Sequence, residues 1–244
     1  YKIYSFSLQE KLFYGLASYI SSNLFLYLFY HSIILGAILS IPMTFYILRF
    51  IKKTVMERNR TELIVQFRDF MDSMVAAMVT GYSATNAVEE AYKDMLTLYV
   101  KESSLCKEIT IIIEKLRSNI QLEELLTDLG ERSGIEEIQN FAQVLTTSKQ
   151  AGGNLVKIMK QTAASINAKI DIKEEIRTII TGKKLEADCM MILPAGIIVY
   201  MNLFSPGFMD PLYGNVMGIF IMTAALGLYG FAFFWSRRLI QIDL

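Results

Sequence analysis

Carboxylates crowd one stretch of this sequence: Glu123, Glu124, Asp128, Glu131, Glu136 and Glu137. Oxygen ligands at this density could hold a divalent cation or present a docking face to a basic partner. A plain solvated helix face would carry the same residues. The single histidine, His31, lies in an apolar region. Acid–base catalysis needs partners within hydrogen-bond reach, so this imidazole reads as an interfacial residue. Gly182-Lys183-Lys184 lacks the upstream glycine and the hydroxyl residue of a phosphate loop. Gly152-Gly153 ahead of a helix could hold an anion or simply break the helix before it. Cys106 and Cys189 make neither a ligand spacing nor a disulfide framework, which suits a reducing compartment. The abundant methionines suit adaptable packing. The reading is therefore of a chain with no catalytic set, no cofactor and no metal centre. A net charge of +0 gives no electrostatic case for nucleic acid.

Composition says what must position these residues. Of the 244 residues 53% are hydrophobic and 20% charged, and mean hydropathy is +0.36. Both facts hold together only if charge is segregated. It is: outside residues 52–187 the charged side chains are Lys2, Glu10, Lys11, Arg49, Asp188, Asp210, Arg237, Arg238 and Asp243. The expected layout is an N-terminal transmembrane hairpin over 1–52, a helical domain over 53–187 and a C-terminal transmembrane hairpin over 188–244.

Leu12 to Ile51 is twice the ~20 residues that one bilayer crossing requires, and too long for a signal-peptide core. Phe29-Tyr30-His31-Ser32 is the best place for a turn, giving spans at 12–30 and 32–51. Ser18, Ser21, Ser22 and Asn23 can bond within the first, and Pro42 would bend the second. A third span covers 189–206, with Pro194 and Gly196 as kink or packing points. A loop at 208–215 leads to a fourth, Val216–Trp235. Arg49, Lys52, Lys53, Arg58 and Arg60 follow the second span, Lys183-Lys184 precede the third, and Arg237-Arg238 follow the fourth. By the positive-inside rule these ends, both termini and the central domain face the cytoplasm.

The central part reads as helices throughout, with no convincing period-two alternation. Residues 56–80 carry Leu63, Phe67, Phe70, Met71, Met74 and Met78 on one stripe. Gly81-Tyr82-Ser83 stops that helix, and Ser83 can cap a second reaching about Val100. Ser103 or Ser104 caps a third, with Ile109, Ile112, Ile113 and Leu116 as its apolar face. Asn119 marks a turn before a fourth built on Leu122, Leu125, Leu126 and Leu129, ending at Ser133-Gly134. Ile135, Ile138, Phe141, Ala142 and Leu145 make a fifth. Ala151-Gly152-Gly153 breaks it, Asn154 caps the sixth, and that sixth helix ends near Gly182. The turns at Gly81, Asn119 and Gly153 each place a residue tolerant of positive φ before a helix, as stacked helical hairpins would, or as any helix–turn–helix would.

The run Met78-Val79-Thr80-Gly81-Tyr82-Ser83-Ala84 resembles the glycine-turn helix start of the type II secretion system F domain. Thr147 to Leu155, with Gly152 and Gly153, looks like that family's glycine turn before its long helix. Ile176-Arg177-Thr178, Gly182 to Ala187 and Ile192-Leu193-Pro194 resemble the tight-adherence (Tad/Flp) pilus branch, as do Ser205-Pro206 and Asp210-Pro211-Leu212-Tyr213. Order and spacing carry this resemblance from about residue 30 to the end. Two departures are Asn119, where the family commonly has glycine, and the acidic cluster, which matches no family motif.

The resemblance implies an all-α multi-pass membrane protein with four transmembrane helices and a cytoplasmic six-helix bundle. It implies a platform in the bacterial inner membrane rather than an enzyme. The partners implied are a hexameric secretion ATPase, a paralogous platform protein, pilin subunits and the lipid bilayer, in a homo- or hetero-oligomer. The alternative is a membrane transporter or receptor subunit with a helical cytoplasmic domain.

Overall fold

The computed structural model describes residues 8–151, 155–205, 207–213 and 215–240. Among these residues the chain is all-α, with no strand. In chain order the helices are α1 (Leu8–Tyr30), α2 (Ile33–Val79), α3 (Ala84–Leu98), α4 (Ser104–Arg117), α5 (Leu122–Ser133), α6 (Glu136–Ala151), α7 (Leu155–Phe204), α8 (Asp210–Tyr213) and α9 (Val216–Ile240). Packing divides the chain into two compact units. Among the described residues, one holds Lys53–Ile172 and the other holds residues 8–52 and 173–240.

Unit one is organised by a single apolar core. The stripe Leu63, Phe67, Phe70, Met71, Met74 and Met78 on α2 is wholly buried. Phe67 meets Phe141 of α6 edge to face with centroids 5.6 Å apart. Ala87, Val88, Ala91 and Met95 of α3 join it, as do Leu105, Ile109 and Ile112 of α4 and Leu125, Leu126 and Leu129 of α5. Met159, Ala163, Ile166 and Ile170 of α7 complete the cluster. Each fully buried side chain of this size is worth about 1.5–3 kcal/mol. Polar contacts fix the register at the rim. Asn167 of α7 donates to both Asp72 oxygens at 2.9 and 3.0 Å, and Arg68 reaches Asp171 at 3.3 Å.

Local chemistry sets the helix starts in this unit. The Ser83 hydroxyl accepts from the Asn86 N–H, and Ser103 caps α4 by accepting from the Cys106 N–H. Gln66 on α2 is buried and accepts from the Leu105 N–H at 3.0 Å, satisfying a second orphan donor of α4. Between α5 and α6 the chains approach so closely that a Cβ on Gly130 would meet Gln139 Cγ at 2.8 Å. Glycine is what permits that pairing.

Unit two follows a different rule. Among the described residues four helices are long and apolar enough to cross a membrane: Leu12–Tyr30, Ile33–Val79, Leu155–Phe204 and Val216–Arg238. Among the described residues of this unit the buried hydrophobic side chains are Leu26, Phe29 and Met222, while Ile34, Ile38, Phe45, Ile192, Leu193, Phe220 and Phe231 are exposed. Polar groups tie the helices instead. At one end His31, at φ +48, stacks between Tyr27 and Tyr213, with ring centroids 4.8 and 5.1 Å away. The Tyr213 hydroxyl donates to the Leu28 carbonyl at 2.8 Å and accepts from Asn202 at 3.1 Å. At the other end Arg237 of α9 pairs with Asp188 of α7 at 2.8 Å.

Two expected helix breaks are absent. The apolar run ending at Ile51 and the amphipathic segment from residue 56 are one helix, α2. The sixth helix does not end near Gly182; α7 continues to Phe204. Helical hydrogen bonding is local and continues whatever solvent surrounds the helix. One glycine costs only about 1 kcal/mol, too little to stop so long a helix. Packing in α7 changes at Ile172, ahead of the change of composition at 187. The 208–215 loop contains a single helical turn, α8.

Candidate functional site

The acidic cluster lies on α5 and α6 and the bend between them. α5 forms because four leucines recur at helical spacing and Glu123 and Glu124 occupy its first turn, where the helix dipole favours carboxylates. Gly134, at φ +67, closes it in a left-handed cap, and Glu136 and Glu137 open α6 in the same way.

The structure separates these carboxylates rather than converging them. Glu123 is buried, and its Oε1 meets Lys149 of α6 at 2.9 Å while its Oε2 has no hydrogen-bond partner among the described residues. Asp128 pairs with Arg132 one turn on, at 2.9 Å. Arg132 also grips Glu108 of α4 through both oxygens, at 3.1 and 2.7 Å. Those hydrogen bonds, the Glu108 pair first, raise the Arg132 pKa above its ordinary value. Glu136 and Glu137 share Lys169 of α7, at 2.9 and 3.6 Å, and the Glu136 hydrogen bond leads in raising the lysine pKa. Glu137 is only 1% exposed, so its ion pair belongs to the packed interior. Glu124 and Glu131 are exposed and have no ion-pair partner among the described residues. Chemically, most of the cluster staples α4, α5, α6 and α7 together. Among the described residues no three His, Cys, Asp or Glu side chains converge to hold a metal ion.

The turn residues fall as follows. Gly81 has φ +101 and Asn119 φ +62, both left-handed. Asparagine adopts that region more readily than other side chains, because its short amide can bond locally. Gly152 and Gly153, with the expected cap Asn154, lie outside the described residues. Pro194 stands inside α7, where its missing N–H leaves a carbonyl one turn earlier without its usual donor.

Sequence reasoning missed the partners: Lys149, Lys169 and the Glu108–Arg132 fork. It also missed Tyr99, which donates to Asp69 across unit one. Burial, then that hydrogen bond, pushes the Tyr99 hydroxyl up to about 12. The only signal available was sign: basic residues at 132, 149 and 169 stand near the acidic segment or on the helix after it. Comparison with protein-family models, with curated proteins and with solved structures finds no match to this chain.

Proposed function

We propose that this protein is an inner-membrane platform of a tight-adherence (Flp) type pilus machine, coupling a cytoplasmic secretion ATPase to extraction and polymerisation of pilin. The observation that carries the reading is the continuity of α7. A single helix bears core residues Met159, Ala163, Ile166 and Ile170 near its start and a bilayer-length apolar run near its end. α2 has the reverse order, apolar run first and core stripe second. Turnover of the ATPase would rotate or tilt the six helical segments of unit one as a cytoplasmic bundle. Force applied to that bundle passes into lipid only through connected elements, and these two helices are connected. The motif order from Met78 to Tyr213 supports the same family reading. The exposed Glu124 and Glu131 are the carboxylates left to meet a basic partner surface.

The test is co-expression of the full chain with any secretion ATPase encoded in the same operon. The expected outcome is co-purification, and loss of piliation when a Gly-Pro pair is inserted after Gly182. No co-purification, with normal piliation in a deletion strain, would overturn the proposal.

A further inference from the structure

Where three apolar helices of unit two reach their charged ends, cations gather on one aromatic ring. Phe50 of α2 has the Lys184 ammonium of α7 at 5.8 Å from its centroid and the Arg237 guanidinium of α9 at 5.4 Å. Arg237 also lies 5.2 Å from the Phe233 ring, and Arg49 covers Phe45 at 4.5 Å. The cations of this end are Arg49, Lys52, Lys183, Lys184, Arg237 and Arg238. Among the described residues two carboxylates oppose them: Glu186 takes Lys183 at 3.0 Å and Asp188 takes Arg237 at 2.8 Å. Arg49, Lys52, Lys184 and Arg238 have no acidic partner among the described residues. Within two turns of them in sequence, Tyr46, Met190, Phe234 and Trp235 are exposed apolar or aromatic side chains.

This combination selects a ligand class. A small hydrated anion would satisfy the charge and leave the apolar flank uncovered. A purely apolar ligand would cover the flank and leave the cations unbalanced. A zwitterionic lipid brings an amine that the same cations repel. An anionic lipid satisfies both halves, with its headgroup at the cations and its acyl chains along the helices. Arg237 contributes even while bridged, because Asp188 engages only part of its five-donor fork. The aliphatic stem of Lys184 can lie along apolar surface while its ammonium reaches the headgroup level.

We propose that the Phe50 cluster binds the headgroup phosphodiester of an anionic membrane phospholipid, with Lys184 and Arg238 as its principal charge partners. The proposal needs the spans to lie in lipid; it does not need the chain to belong to a pilus machine.

The experiment is native mass spectrometry of the full chain released from non-ionic micelles titrated with phosphatidylglycerol, with phosphatidylcholine as comparator. A retained phosphatidylglycerol adduct is expected, and not a phosphatidylcholine one. Its dissociation constant should rise roughly fivefold in each of Lys184→Gln and Arg238→Gln, the scale of one surface cation at an anionic headgroup. Phe50→Leu, which keeps an apolar side chain but removes the ring, should weaken binding less. Lys157→Gln and Lys160→Gln, equal charge changes in unit one, should leave it unchanged. Equal retention of the two lipids, equal loss from the unit-one variants, or displacement by millimolar inorganic phosphate alone would overturn the proposal.

Discussion

α7 contains both of this protein's environments within one helix. In its first turns Met159, Ala163, Ile166 and Ile170 are buried against other helices. In its last turns Ile192, Leu193, Ile197 and Leu203 are all exposed. Aliphatic side chains occur in both halves, but the faces around them differ. In unit one the apolar stripe is narrow, and the remaining faces carry Lys157, Lys160 and Lys169. In unit two, once past Asp188, the helix is apolar all round from Cys189 to Met201. A helix of that kind belongs in a membrane or a large core, and few apolar side chains of unit two are buried. The same side chain therefore does different work in the two units.

Truncation separates the two most sharply. Phe67→Ala empties a fully buried site between α2 and α6 and should cost about 3–5 kcal/mol. Ile192→Ala, at a position 68% exposed, should change unfolding by less than about 0.5 kcal/mol. Denaturant titration of the full chain in micelles, followed by circular dichroism, measures both. Equal costs would erase the distinction.

Charge insertion reverses the ranking. Leu193→Arg should oppose membrane insertion by about 2.5–3.5 kcal/mol in a glycosylation-based insertion assay. Ile111→Arg, at an exposed position of α4, should leave unit one folded.

Within unit one, Arg132→Met should cost about 2 kcal/mol by stranding the Glu108 carboxylate. The 3–5 kcal/mol expected of a fully buried pair is reduced because the Arg132 side chain is 45% exposed. Denaturant midpoints of the two proteins decide it.

Tyr99→Phe should have the smallest effect at neutral pH, about 1 kcal/mol for one hydrogen bond. Its signature is the pH dependence. The folded tyrosine keeps its proton up to about 12, while the unfolded one releases it near 10.0. Its stabilisation is fully present below pH 10 and is lost as pH rises towards 12. The phenylalanine variant should lose that part of the alkaline slope in denaturation titrations, and an unchanged slope would assign it elsewhere.

Much of this architecture follows from residue order alone. The segregation of charge marked four apolar runs, because only lipid or a large core accepts a long stretch without charge. The period of Leu63, Phe67, Phe70, Met74 and Met78 marked a buried face, because helix geometry repeats every 3.6 residues. Ser83 and Asn119 were legible as a cap and a turn, and the α4 cap as Ser103 or Ser104, because their chemistry acts over two or three residues; the structure selects Ser103. Three-dimensional packing alone decided the rest. The acidic segment looked like one surface, yet Lys149, Lys169 and Glu108 divide it, and those partners are fixed by how α4, α6 and α7 pack. The change of composition at Lys52-Lys53 and at Gly182 looked like a pair of helix ends, but it records a change of surroundings along an unbroken hydrogen-bonded rod. The meeting of Lys184 and Arg237 on Phe50 joins residues far apart in the chain, and no local pattern encodes a distance between three separate helices.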